Sequence, residues 1–277
     1  LVIVVWNRKI CAVSSVDILE GELCRKRESK LTIAYDGTNY CGWQVQPNGI
    51  TVEEVINKAL CKLTGEDIAV IGASRTDSGV HALGNVAVFD SATSIPPERI
   101  AMALNQRLPD DIVIVKSEEV ATDFHPRYCD CEKNIRIPYI NTRTPIPTKR
   151  LTNYFVSYDL DVERMQQAAD YLVGEHDFVS FCNVRTQVED TVRTVTELEV
   201  LREGEEITIR ISGNGFLYNM VRIIVGTLVR VGRGFYTPEK VKEILEAKDR
   251  KAAGVTAPAH GLMLVEIRYP NEENRIQ

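Results

Sequence analysis

The alternation of apolar and polar residues first becomes regular at Leu31, where Leu31-Thr32-Ile33-Ala34-Tyr35 reads as a strand and Asp36-Gly37-Thr38-Asn39 as the turn that ends it. The period then changes. Thr51 and Glu54 form a capping box, and Val52, Val55, Ile56, Ala59, Leu60 and Leu63 recur at helical spacing until Gly65 closes the segment. Strands are predicted near 67–73, 84–90 and 112–120, and Pro96-Pro97 marks the start of a helix near 97–107. Further on, Asp161 caps a helix with Val162, Met165, Ala168, Ala169, Leu172 and Val173 on one face, ending at Gly174. Strands follow near 193–201 and 206–213, then a strongly apolar helix over 217–231, an amphipathic helix over 238–247 and a last strand over 263–269. Strands and helices mixed without strict alternation place the chain in the α+β class rather than among doubly wound parallel sheets. No sequence repeat is visible, but two halves of similar make-up meet near 140–155. The reading divides the chain into an extension of uncertain structure over 1–29, a first half over 30–140 and a second over 141–277.

With 277 residues and 44% apolar content, the chain is long enough to bury a substantial core. A net charge of -6 and a pI near 5.4 mean that a nucleic-acid partner needs a local basic surface rather than the average field. Residues 133–150 offer one candidate, with Lys133, Arg136, Arg143, Lys149 and Arg150, no acid, and Tyr139 interleaved; a solvated loop with chance charge is the alternative. The cysteines Cys11, Cys24, Cys41, Cys61, Cys129, Cys131 and Cys182 form no pair of C-x-x-C units, so neither a disulfide framework nor a structural zinc site is expected. Free thiols point to the cytoplasm. Residues 1–6 are apolar but too few for a signal-peptide core or a membrane span, and 1–29 reads as translated from upstream of the natural start.

Two places carry candidate chemistry. The loop Ser74-Arg75-Thr76-Asp77-Ser78-Gly79-Val80-His81-Ala82 lies between predicted strands, where side chains project from a rigid frame. Asp77 is either a turn-capping residue or a functional acid, and the adjacent Arg75 is what an anionic substrate would need. Arg222 sits in Met220-Val221-Arg222-Ile223-Ile224-Val225-Gly226, where burial threatens a charge the guanidinium cannot shed. It needs an anionic partner unless it snorkels to the surface, and Gly226, one turn on, clears room for that partner. A cation held against Asp77 would keep that carboxylate ionised and fixed, as suits a nucleophile or base. His81 and the His176-Asp177-Phe178 segment read as structural, although a hydrolase using Asp77 with His81 is a competing reading.

Tyr35-Asp36-Gly37-Thr38-Asn39-Tyr40-Cys41-Gly42-Trp43-Gln44, then 74–82, then 214–226, then Ala257-Pro258-Ala259-His260-Gly261-Leu262-Met263-Leu264 resemble, in order and spacing, the TruA-type tRNA pseudouridine synthases. The resemblance covers about 30–270. It implies two ferredoxin-like halves joined into one extended, mostly antiparallel sheet with helices on one side and a central cleft. It further implies a homodimer, no metal or cofactor, and isomerisation of uridines 38–40 in the tRNA anticodon arm. By that resemblance Asp77 is the essential carboxylate, Arg222 its partner, Arg75 the group on the RNA backbone, and Leu262 and Leu264 the apolar residues near the target base.

One stretch departs from the pattern. After Phe124-His125-Pro126-Arg127-Tyr128 the family carries alternating tyrosines, one at the target base, where this chain has Ile135 and Ile137. Tyr139 shares the strand face of Ile135 and is the remaining tyrosine candidate for substrate contact, but it lies about 13 Å further along. Pro138 also removes a ladder donor. Asn134 to Ile140 can be coded AAC ATA CGG ATA CCG TAT ATA, which one base later reads Thr-Tyr-Gly-Tyr-Arg-Ile and an incomplete Tyr codon. An added A, offset by one missing base before Asn141, would therefore account for the departure; otherwise the chain is a catalytically impaired tRNA-binding relative.

Overall fold

The computed structural model describes residues 27–184 and 188–270. Its elements are β1 (Arg27–Tyr35), α1 (Val52–Thr64), β2 (Ile71–Gly72), β3 (His81–Ser91), α2 (Pro97–Asn105), β4 (Ile112–Val120), β5 (Glu132–Ile140), β6 (Tyr154–Phe155), α3 (Val162–Asp170), β7 (Gly174–Asp177), β8 (Val192–Glu203), β9 (Glu206–Gly213), α4 (Met220–Gly232), α5 (Lys240–Ala247) and β10 (Met263–Arg268). The strands form one sheet in the order β4-β1-β3-β10-β5-β9-β8-β7, with β2 on β3 and β6 on β5.

That order contains the same motif twice. In the first half β1, α1, β2, β3, α2 and β4 are arranged β4-β1-β3-β2, the split βαβ pattern of a ferredoxin-like unit. In the second, β5, α3, β8, β9, α4 and β10 repeat it as β10-β5-β9-β8. By pairing, β5 opens the second half, although the sequence reading placed it at the end of the first. The halves join where β10 runs parallel to β3, with Met263 opposite His81 and Leu264 opposite Ala82. The other strand pairs are antiparallel, apart from the short β5–β6 pair.

Local chemistry sets the element ends. The Thr51 hydroxyl accepts from the Glu54 amide at the start of α1, and Gly65, at φ 75°, receives the chain after it. Asp161 caps α3 by accepting from the Arg164 amide, a contact of the kind worth about 1 kcal/mol. Along β9, Ile207, Ile209 and Ile211 are buried while Arg210 is exposed, so one face of the sheet carries the core and the other meets solvent. The sheet starts earlier than the sequence reading allowed. Arg27, Glu28 and Ser29 pair with Ser91, Asp90 and Phe89, and Lys30 reaches Glu118 on β4 at 3.0 Å, so the last residues assigned to the extension belong to β1. Residues 1–26, including the apolar opening, lie outside the described residues. Among the described residues no helix is long and apolar enough to cross a membrane.

Gly226 works differently from the sequence expectation. A Cβ there would lie 1.8 Å from the Val255 carbonyl oxygen, so the glycine admits the main chain of the strap 254–257, not an acidic side chain. The strap is tied down by Gly254 N–H donating to Thr227 Oγ1 at 2.9 Å and by Ala257 N–H donating to the Arg222 carbonyl at 3.0 Å. Alanine is ordinarily about 1 kcal/mol better than glycine inside a helix. Here Gly226→Ala should instead lower stability by about 1–3 kcal/mol through backbone displacement. Urea unfolding measures this, and a midpoint equal to or above that of the parent protein would show that the strap retreats at no cost.

Candidate active site

Asp77 lies in the turn between β2 and β3, and that turn is held from behind by the Tyr35 to Trp43 segment. Trp43 N–H donates to the Thr76 carbonyl at 3.1 Å, Gly79 N–H and Ser78 Oγ to the Tyr40 carbonyl at 3.3 and 3.2 Å, and the Tyr35 hydroxyl meets Thr76 Oγ1 at 2.8 Å. Gly42, at φ 83°, is pressed so close that a Cβ would meet the Thr76 oxygen at 2.5 Å. The first sequence motif is therefore the scaffold of the second.

Arg222 comes from the first turn of α4 and meets this loop across the seam between the halves. Its Nη1 donates to Asp77 Oδ2 at 3.1 Å and to Asn219 Oδ1 at 2.8 Å, while Nε donates to the Ala257 carbonyl at 2.8 Å. The strap that receives Gly226 thus also aims the guanidinium. Asn219 directly precedes α4 in the left-handed region at φ 61°, a conformation asparagine tolerates better than most residues, and its amide oxygen is turned onto Arg222 instead of capping the helix. Asp77 and Arg222 keep 23% and 19% of their side-chain surface exposed. Burial pushes the Asp77 carboxyl above its ordinary value of 3.8, and the hydrogen bond and charge of Arg222 pull it back only in part. The cation thus acts on Asp77 in the expected direction, but desolvation is the larger influence.

The pair opens on a cleft of about 1040 Å³. Asp77 is the one acid among its described lining residues, which include the cations Arg75, Arg127, Lys133, Arg193 and Arg222. Leu262 and Leu264 line it too, both buried, and Arg75 is exposed at its mouth. Ile135, 9% exposed, forms part of the same wall. Tyr139 does not. It is fully buried against Tyr154, with ring centroids 5.1 Å apart, outside the cleft lining, because four further residues of strand carry it past the opening. Of the basic run 133–150 only Lys133 reaches the cleft; Lys149 pairs with Glu206 and Arg150 turns back onto the Pro147 carbonyl. His81 is 2% exposed, with Nδ1 at Asp36 and Nε2 against the Leu151 and His260 carbonyls, so it is a strut and not the partner a hydrolase would need. Asp177 is likewise engaged, by Thr191 and Lys248. No group of three or more His, Cys, Asp or Glu among the described residues is arranged to hold a metal ion.

Comparison with known proteins now bears on this arrangement. The family profile described as tRNA pseudouridine synthase matches residues 31–129 and 168–270. The chain belongs to the tRNA pseudouridine synthase family. It is 48% identical over 250 residues to the tRNA pseudouridine synthase A of Exiguobacterium sibiricum, covering 90% of this chain and all of that one. With the protein of the same name from Acetivibrio thermocellus it shares 50% over 243 residues, 88% of this chain and all of that one. A solved H/ACA RNP bound to a substrate RNA containing 2'-deoxyuridine is more distant, at 13% identity and a TM-score of 0.34 over 73% of this chain and 44% of that one. Relatives that are named as synthases lend no support to the reading of an impaired binding protein.

Within this family frame, sequence reasoning found Asp77, Arg222, Arg75, Leu262 and Leu264, which the fold gathers in one cleft. It missed Asn219, whose signal was an asparagine directly before a greasy helix, and Arg193, which gave none. Since the guanidinium pulls the Asp77 carboxyl down against burial, Arg222→Met should move that carboxyl to higher pH, and Arg222→Lys, which keeps a charge, should move it less. Titration of the Asp77 carboxyl by carbon NMR reads both. An unchanged midpoint in Arg222→Met would mean that the contact carries no electrostatic weight.

Proposed function

We propose that this chain converts uridine to pseudouridine in the anticodon arm of tRNA, at positions 38–40, with Asp77 as the catalytic carboxylate. The observation that carries the reading is the Asp77–Arg222 contact at 3.1 Å in a cleft otherwise lined by cations and apolar side chains. The chemistry asks for such a place. A uridine inside an RNA stack cannot be reached, so it must turn out into a pocket. Isomerisation then breaks the N1–C1′ bond, forms a C5–C1′ bond, and moves a proton from C5 to N1, with no net change in atoms. Asp77 assists either by attacking C1′ or by removing a ribose proton; the geometry is compatible with both. Arg222 holds the carboxylate in place through either route. Leu262 and Leu264 give the detached uracil a dry wall against which to rotate without escaping. Arg75, exposed at the mouth, is placed to meet phosphate as the nucleotide leaves its stack. The same reading includes action as a homodimer in the cytoplasm, and light scattering of the purified chain checks the dimer.

Asp77→Asn should abolish pseudouridine formation, by at least about 10³-fold, while tRNA binding stays within a few-fold of the parent protein. Tritium release from tRNA labelled at uridine C5 follows turnover, and mapping of the product locates it. Undiminished release in Asp77→Asn, or pseudouridine confined to another arm of the tRNA, would refute the assignment.

A further inference from the structure

Among the described residues, three cations on the cleft wall have no carboxylate at ion-pair distance. Arg127 precedes β5 and donates through Nε to the Gly72 carbonyl at 2.6 Å. Lys133, on β5, donates to the next carbonyl, Ala73, at 3.4 Å. Both are thus anchored on the two residues that lead into the Asp77 loop. Arg193, on β8, rests its Nη1 on the Asp190 and Val192 carbonyls at 3.1 and 2.5 Å. Among the described residues none of the three has a carboxylate within 4.0 Å, whereas Arg222 has Asp77. An ammonium offers three donors and a guanidinium five, so main-chain contacts leave most of them unused.

Gathering like charges on one half-buried wall is unfavourable in the empty protein. Burial first, and then the charges of Arg127 and Arg193, pull the Lys133 ammonium below its ordinary value, against an upward pull from Cys131. Burial and the charge of Arg75 pull Arg127 down in the same way, against a smaller upward pull from Glu53 and Tyr128. An arrangement that works against its own ionisation is accounted for by an anion that arrives from outside. Beside it stands Tyr128, which also lines the cleft. One face of its ring is stacked on His125 at 4.2 Å, yet the residue is 85% exposed, the geometry of a platform with a free side.

We propose that this wall is a subsite for the nucleotide next to the isomerised uridine, its phosphodiester held among Arg127, Lys133 and Arg193 and its base laid on Tyr128. The inference rests on the RNA reading above and adds to it which linkage is gripped and by which residues. It also gives the cleft two separate tasks. Charge from Arg127, Lys133 and Arg193 holds the chain of phosphates, and the Asp77–Arg222 pair is left for the sugar and base.

The test uses the full-length chain carrying Asp77→Asn, so that binding is read without turnover, and an anticodon stem-loop RNA in which single phosphates are replaced by neutral methylphosphonates. At one linkage flanking the target uridine the replacement should weaken binding about tenfold. In the further variants Lys133→Met and Arg193→Gln that same replacement should have little further effect, because the partner of the missing charge is already gone. Each variant should also flatten the dependence of log affinity on log salt by roughly one unit or slightly less. Tyr128→Leu should weaken binding about tenfold and Tyr128→Phe should not, since stacking needs the ring and not the hydroxyl. If Lys133→Met and Arg193→Gln lose affinity equally for every linkage replaced, their role is structural and the subsite is refuted. The same holds if no flanking linkage is sensitive, or if Tyr128→Leu binds as the parent does. Turnover by the chain with Asp77 intact is measured separately on tRNA. Its absence would remove the enzymatic reading, whereas turnover without the coupling would remove only the subsite.

Discussion

One ion pair joins the two halves of this molecule where the chemistry is expected, and the rest of the fold can be understood as the means of bringing its members to 3.1 Å. Asp77 belongs to a turn of the first half and Arg222 to a helix of the second, 145 residues later in the chain. Neither half contains the site alone. What joins them is the parallel pairing of β3 with β10, which begins at His81 and Met263, so the seam starts just after the Asp77 turn and just after Leu262. The His81 amide donates to the Leu262 carbonyl at 3.0 Å, and that one main-chain bond sets the apolar wall beside the acid.

The approach of Arg222 is limited by backbone and not by side chain. The strap 254–257 sits on α4 at Gly226 and Gly254, where added Cβ atoms would strike the Val255 oxygen at 1.8 Å and Thr227 Cα at 2.8 Å. From there Ala257 clasps Arg222 twice, its amide donating to the arginine carbonyl and its carbonyl accepting from Nε. A guanidinium held at the carbonyl end and by Asn219 has little freedom left, so its contact with Asp77 forms without the loss of side-chain entropy that weakens exposed pairs. Against this, burial raises the carboxyl, and the pair therefore holds an acid whose ionised form is disfavoured by its surroundings and favoured by one neighbour. Such tension marks functional sites more often than structural ones.

How much of this the sequence discloses depends on whether the cause is local. The caps at Thr51 and Asp161, the glycine after α1 and the five helices are local, and their positions are legible to within a few residues. Asp77 and Arg222 are legible as anomalies, an acid in a tight turn and a charge in a greasy helix. The short strands β6 and β7 are not, and β2 is legible only as a longer strand near 67–73, because two to four residues become strand only through a partner far away in sequence. The polar opening of β1 is hidden for the same reason: Lys30 is buried there because Glu118 waits on β4. Gly226 was noticed, but its true neighbour is a main-chain oxygen, which no side-chain pattern announces. Tyr139 was drawn toward the cleft by its residue type, and the register of β5 against β9, with Tyr139 opposite Ile207, carries it into the core instead.

The charge distribution resolves what first looks like a contradiction, a chain of net charge -6 whose Asp77 cleft gathers five cations on its described lining. Exposed surface charge is screened within about a Debye length, whereas charges on a half-enclosed, low-dielectric wall act on whatever enters it. Acids spread over the exterior therefore do little to cancel the cleft. Inside it, one carboxylate among cations would be neutralised by the nearest of them or would repel any phosphate, were the groups free to rearrange. Fixing Arg222 to Asp77 and anchoring Arg127 and Lys133 on the Gly72 and Ala73 carbonyls prevents both outcomes. The acid already has its cation, and the remaining cations are kept for an incoming anion a short way along the wall. A polyanion can then be drawn in by the same cleft that shelters a carboxylate, because position and not net charge decides which group each charge meets.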